Sequence, residues 1–197
     1  MNASNEPGKT LLHTRQVTCR AYLRDDGLIE VEGRMQDVKP VDAHTVYKTV
    51  PADSPFHSMR LVMIVDHDFV IQDVQASTEV GPNPDCASIA PAYGALKGLK
   101  VGAGFRKQVA QRVGGQLGCT HLTELLGPMG TTLIQSTFLL RSEAHKQRLR
   151  EDPDYESPRP WVIGTCHSYR PDGEAARLMW PEGYRDEAQP VRLPSGE

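Results

Sequence analysis

The chain has no apolar run approaching the roughly 20 residues that a membrane-spanning helix needs. Its first residues, Met1 to Lys9, lack the apolar stretch of a secretory signal. Both absences exclude a membrane partner and point to the cytoplasm. An excess of one charge is missing too. With 22 Lys and Arg against 25 Asp and Glu, the net charge of −3 gives no electrostatic reason to expect nucleic acid. Cysteine is sparse: Cys19, Cys86, Cys119 and Cys166 are widely spread and form no CxxC pair. A zinc ribbon and a dithiol redox motif are therefore excluded, and in a reducing compartment the four are free thiols. No HExxH and no Ser/His/Asp signature occurs. Gly98–Gly104 is glycine-rich but lacks the lysine and spacing of a P-loop and the preceding strand of a dinucleotide fingerprint, and reads as a turn between helices. There is no internal repeat and no low-complexity tract.

What remains is a globular composition, 39% hydrophobic and 24% charged over 197 residues, enough for one domain with a substantial core. Residues 1–10 read as a flexible tail, 11–181 as a single domain and 182–197 as a second tail. Leu12–Leu23 and Leu28–Asp37 carry β-branched and aromatic residues around Asp25-Asp26-Gly27, which predicts a hairpin. Lys39–Pro55 holds three prolines and reads as a connection with a short edge strand near Val46. Arg60–Val65 and Phe69–Ser77 form a second hairpin around Asp66-His67-Asp68. Glu79–Asp85 is a loop, because proline and glycine interrupt a ladder.

Helical spacing begins at Ala87–Leu99, where Ile89, Tyr93, Leu96 and Leu99 recur at threes and fours and Pro91 restricts the start. Phe105–Val113 is a short amphipathic helix ended by Gly114-Gly115. Thr120–Arg141 is the longest helical pattern, with Pro128 expected to kink or split it. Arg141–Glu151 reads as a solvated helix end, Asp152–Pro160 as a proline-rich linker and Trp161–Tyr169 as a last strand. Strands followed by helices predict an α+β fold: an antiparallel sheet of β-hairpins with a helical layer packed on one face.

The densest chemistry is Gly118-Cys119-Thr120-His121-Leu122-Thr123-Glu124, at the start of the longest helix. Unpaired N–H groups and the positive dipole end favour a thiolate or a bound anion there. His121 and Glu124, three apart, share a helix face, so the carboxylate can orient the imidazole. The plainer reading is a Thr120 cap, a packed Cys119 and a surface His121. Cys86 sits in a similar loop-to-helix position, where it reads equally as a buried thiol beside an Asp85 or Ser88 cap. Tyr93 reads as a core aromatic with a bonded hydroxyl or as an acid. Cys166-His167 has metal-capable side chains, but neighbours on a strand point to opposite faces.

Leu11-Leu12-His13-Thr14-Arg15, with Tyr22, Asp25-Asp26-Gly27 and Glu32-Gly33, resembles the opening of the bacterial domain of unknown function 2889 family. Gly98-Leu99, Gly104-Phe105 and Gly114-Gly115 through Cys119-Thr120-His121-Leu122-Thr123-Glu124-Leu125-Leu126 resemble its second signature. The resemblance implies a role around aromatic-compound breakdown. At fold level, a hairpin, a Gly/Cys loop, a short helix and Cys-x-x-Leu opening a long helix are similar to NifU-type iron–sulfur scaffolds. That comparison puts Cys86 and Cys119 near the second and third cluster cysteines, with Phe56-His57 where the first thiol belongs. His57, Cys86, Cys119 and His121 then make an alternative zinc set.

The expectation is an acid–base enzyme of lyase or isomerase type, including carbon–carbon lyase, that uses no cofactor and acts on a small, partly aromatic molecule. His121 is the expected base, Glu124 its orienter, and Tyr93 or His57 the acid or oxyanion donor. Cys86, Cys119 and Glu79 line the expected substrate pocket, and a homo-oligomer is allowed. The alternatives are a metal or iron–sulfur carrier and a non-catalytic ligand-binding protein.

Overall fold

The computed structural model describes residues 8–152, 154–155 and 159–181. Both expected tails fall largely outside them: of 1–10 only residues 8–10 are described, all exposed, and 182–197 lie outside entirely. The chain divides into two compact units, Met1–Leu139 and Leu140–Glu197.

In the first unit β1 (Thr14–Leu23), β2 (Ile29–Val38), β5 (Pro55–Val65) and β6 (Ile71–Val80) form one antiparallel sheet in the order β1-β2-β5-β6. Two hairpins thus join through β2 and β5. Gly27 takes the left-handed conformation (φ +81°) that lets the first hairpin turn on itself. Between the hairpins, β3 (Ala43–His44) and β4 (Thr49–Val50) make a separate two-stranded ribbon. The short strand expected near Val46 is thus present as a pair of two-residue strands, with Val46 itself 92% exposed at the ribbon's tip. Flanking Pro40 and Pro51 leave room for only two pairs, Ala43 with Val50 and His44 with Thr49.

Alternation gives the sheet two different faces. Odd-numbered residues of β2 and β5 (Ile29, Val31, Gly33, Met35, Met59, Leu61, Met63 and Val65) are buried, and register pairs them one to one. On the even-numbered face, Glu32 accepts from Arg60 Nε at 2.6 Å and from Arg34 Nε at 3.0 Å. The helices cover the odd face. A 3-10 segment, Ala90–Leu96, packs on β6, and α2 (Thr120–Ser136) packs on β1, β2 and β5 through Leu122, Leu125, Leu126, Met129 and Leu133. The α+β class with hairpins under a one-sided helical layer is therefore the fold the chain adopts.

Gly33 fixes where α2 crosses the sheet. A Cβ at Gly33 would stand 2.5 Å from Met129 Sδ, so only glycine admits that side chain. Two helical turns back from Met129, roughly 12 Å along the axis, lies His121. Four strand residues on from Gly33, roughly 13 Å, lies Asp37. The two distances match, and the crossing at Gly33 brings the start of α2 over the Asp37 end of β2.

The helical expectations hold in part. α1 is Phe105–Val113, as its pattern predicts. Ala87–Leu99 is not an α-helix but two 3-10 segments, Pro84–Ala87 and Ala90–Leu96, because Pro91 removes a donor and Gly94 and Gly98 weaken propagation. Pro128 does not split α2. It sits on the exposed side of the helix, away from the sheet. The break falls instead at Thr137, whose hydroxyl donates to Leu133 O at 2.8 Å, and α3 (Phe138–Glu151) follows.

In the second unit, Trp161–Tyr169 is a run of turns rather than a strand. Gly164 has φ +89° and its N–H donates to Tyr169 O at 2.6 Å, which folds the segment back on itself. A short helix, α4 (Glu174–Met179), follows it. Among the described residues, no helix is long and apolar enough to cross a membrane.

Candidate functional site

The same alternation that builds the core puts one charged residue into it. Asp37 follows Ile29, Val31, Gly33 and Met35 on the odd face of β2 and is 0% exposed. Its register partner on β5 is His57, and a bulge in the pairing follows immediately. Four groups converge on the Asp37 carboxylate. Arg15 donates from Nε to Oδ1 at 2.7 Å and from Nη2 to Oδ2 at 2.8 Å. His57 Nδ1 lies 2.9 Å from Oδ2, and His13 Nε2 lies 3.1 Å from Oδ1. His121, in the first turn of α2, stands over this end of the sheet with Nε2 4.0 Å from Oδ2. The rings of His57 and His121 are 4.0 Å apart, tilted by 37°.

Electrostatics follow from the contacts. Burial alone would raise the Asp37 carboxyl. Hydrogen bonds from Arg15, His13 and His57, with the guanidinium charge, overcome it and hold the group far below the usual carboxylate range. Asp37 is therefore a fixed anion. His57 is lowered, first by burial and then by His121, against the pull of Asp37. His121 is lowered by burial and by Arg15, against Asp37 and Glu124. Both imidazoles thus favour the neutral form. Neutral His57 that donates Nδ1–H to Asp37 leaves Nε2 as an acceptor, the arrangement of a carboxylate-oriented base.

The sequence-predicted residues fall into three groups. His57, His121 and Cys119 come together: Cys119 Sγ lies 3.8 Å from His121 Nδ1 and 4.0 Å from Met59 Sδ. Glu124 stays on the rim. Its carboxylate accepts from Arg15 Nη1 at 2.5 Å, so its direct partner is Arg15 rather than His121. Tyr93 is wholly buried, and its hydroxyl is consumed by the backbone. It accepts from Cys119 N at 3.0 Å, lies 2.7 Å from Cys119 O and 2.7 Å from Thr123 Oγ1, and burial raises its phenol. Tyr93 thus ties the start of α2 to the helical layer, and Cys119 rather than Thr120 takes the cap position.

Glu79 and Cys86 lie elsewhere. Glu79 accepts from Ser58 Oγ at 2.9 Å and from Arg34 Nη1 at 3.4 Å, both on the even face, across the sheet from His57. Cys86 packs on Gly81, where a Cβ would stand 2.8 Å from its own Cβ. No hydrogen bond joins Cys86 to His57, Cys119 or His121 among the described residues.

Asp37, Arg15 and His13 are the residues that sequence reasoning missed. The signal was present for Asp37: it is the acid that continues the buried odd-numbered set of β2, so strand periodicity alone marks it. His13 and Arg15 carry no such mark, because they stand on the exposed edge strand and its lead-in.

The family model described as a protein of unknown function, DUF2889, matches residues 13–135, well over half of the chain. The chain belongs to the DUF2889 family. All of Arg15, Asp37, His57, His121 and Glu124 lie inside the DUF2889 match. Neither the curated proteins nor the solved structures contain a match to the chain.

Proposed function

We propose that this DUF2889 protein is an acid–base enzyme in which His57, oriented by Asp37, removes a proton from carbon next to a carbonyl or phenol. The reaction class is a lyase or isomerase step, including carbon–carbon cleavage, on a small, partly aromatic substrate. One observation carries the reading: His57 Nδ1 stands 2.9 Å from a carboxylate that Arg15 keeps ionised. That contact selects the tautomer with a free Nε2 and stabilises the imidazolium once the proton arrives, a contribution of about 10²–10⁴ in rate. His121, neutral and 4.0 Å away ring to ring, offers an N–H to the oxygen where charge develops. The base is thus His57 rather than His121, and Arg15 bridges the inner carboxylate and Glu124.

The iron–sulfur carrier alternative draws less support, since Cys86 and Cys119 share no partner among the described residues. The test is NMR of a panel of aryl ketones and hydroxyaryl ketones incubated with the protein in deuterium oxide. Deuterium should enter the carbon next to the carbonyl, or the carbon–carbon bond there should break, and His57→Ala should remove at least a hundred-fold of that rate. Exchange no faster than in protein-free buffer, or untouched by His57→Ala, would sink the reading.

A further inference from the structure

Among the described residues, the His, Cys, Asp and Glu side chains close enough in threes to hold one ion are Asp37, His57 and His121. One donor atom from each lies within 4.8 Å of the other two. We infer that these three side chains form a site for one divalent transition-metal ion, with zinc as the reference case. This departs from the expectation of a metal-free protein. It rests on the geometry of the donors, and because a bound ion would place the His57 proton on Nε2, the metal-bound and base-competent forms are alternative states of one site.

Two imidazoles and a carboxylate are the donor set of many zinc sites that keep an open position. Metal–donor bonds of about 2.1 Å in tetrahedral geometry put donor atoms roughly 3.4 Å apart. Two of the observed separations lie either side of that value, 2.9 Å from His57 Nδ1 to Asp37 Oδ2 and 4.0 Å from His121 Nε2 to the same oxygen, and the set spans up to 4.8 Å. Closing the site draws the donors in toward that spacing, and His121 sits in the first turn of its helix with part of its ring open to solvent.

The guanidinium on Asp37 does not forbid it. An ionised carboxylate offers about four lone-pair positions. Arg15 takes one on each oxygen and His13 one on Oδ1, so the fourth, on Oδ2, is the one His57 Nδ1–H occupies. An incoming ion replaces that hydrogen. The His57 proton passes from Nδ1 to Nε2, the Nδ1–H···Oδ2 bond breaks, and metal–Nδ1 and metal–Oδ2 bonds form in its place. Charge agrees, because Asp37 and Glu124 outnumber the Arg15 that joins them. Cys119 is not a ligand: its sulfur lies beside His121 Nδ1, the nitrogen on the far side of the ring from Asp37.

The test uses the full chain in a Cys166→Ser background, which removes the exposed Cys166-His167 pair as a competing site. Chelator-stripped protein is titrated with zinc by calorimetry and with cobalt by visible absorption. One ion per chain is expected, with a higher melting temperature on zinc addition and no sulfur-to-cobalt band. Loss of an outer-sphere partner already costs about 10–100-fold in affinity, so His57→Gln and His121→Gln should each cost at least that. Cys119→Ser should bind as tightly as the parent. Binding that survives both histidine changes, or zinc that leaves the parent's melting temperature unmoved, overturns the site. Binding lost in Cys119→Ser also overturns it, in favour of a thiolate-based carrier.

Discussion

Asp37 and His57 face each other across β2 and β5 as register partners, and their side chains meet at 2.9 Å on the buried face of the sheet. The partner that keeps Asp37 ionised, Arg15, comes from the neighbouring edge strand and keeps about a third of its side chain in water. That asymmetry predicts which deletion hurts more. Arg15→Ala strands a wholly buried anion and should cost about 3–5 kcal/mol. Asp37→Ala frees Arg15 to turn to solvent and should cost about 1–3 kcal/mol. Urea unfolding of the two variants checks the order, and the reverse order would refute the role given to Arg15.

Stability should fall with acid in two windows. His57 and His121 are lowered from the ordinary value of about 6.5, so below that pH the unfolded chain binds protons that the folded chain refuses. Their contribution is therefore level above about pH 7 and is lost as pH drops below about 6.5 toward their folded values. Asp37 is also depressed, so its contribution is whole above about pH 4 and is lost as pH falls further toward its folded value. Melting temperatures from pH 8 to pH 2 should show both steps. The double variant His57→Gln/His121→Gln should flatten the upper step and spare the lower. A parent profile level from pH 7 to pH 5 would contradict the histidine assignment.

Much of the fold was legible because it is written in periodicity. The 2-residue period of β2 and β5 and the glycines that end α1 act locally, and a single chain displays them. The errors came where tertiary context overrode local preference. Pro128 stays inside α2 because its side faces water, and Trp161–Tyr169 curls into turns although its composition is strand-like. The site divided the same way. His57 and His121 were expected in one site, but Asp37 between them was not, and the meeting of the three depends on Met129 seating over Gly33. Glu124 looked like an orienter because helix spacing places it on the His121 face, yet Arg15, 109 residues earlier, takes it by a stronger charge-assisted contact. Long-range ion pairs of that kind have no local signature.

Tyr93 separates an anchoring hydroxyl from a catalytic one. Its oxygen is committed to the backbone of Cys119 and to Thr123, all at the start of α2. Tyr93→Phe should therefore destabilise the protein by about 1–3 kcal/mol, the cost of leaving buried polar groups without a partner. It should leave deuterium exchange by the folded fraction within a few-fold of the parent. Loss of exchange by two orders of magnitude with unchanged stability would return Tyr93 to the catalytic set.

The crossing at Gly33 makes the sharpest link between packing and site. A methyl group there would meet Met129 Sδ at 2.5 Å and Met129 Cγ at 2.8 Å, inside the helix–sheet interface. Gly33→Ala must push Met129 aside or lift α2 from β2, and overpacking of this kind costs about 1–3 kcal/mol. Because α2 carries His121 and β2 carries Asp37, a lifted helix also separates His121 from Asp37. Shortening the opposing side chain should relieve the clash: Met129→Ala alone should destabilise, by about 2–5 kcal/mol for a buried methionine. The Gly33→Ala/Met129→Ala pair should then be more stable than the two single costs added together. A double-mutant cycle by urea unfolding reads that coupling, expected at about 0.5–3 kcal/mol for residues in contact. Strict additivity would mean that Gly33 does not set the crossing. The nearness of His121 to Asp37 would then need another cause.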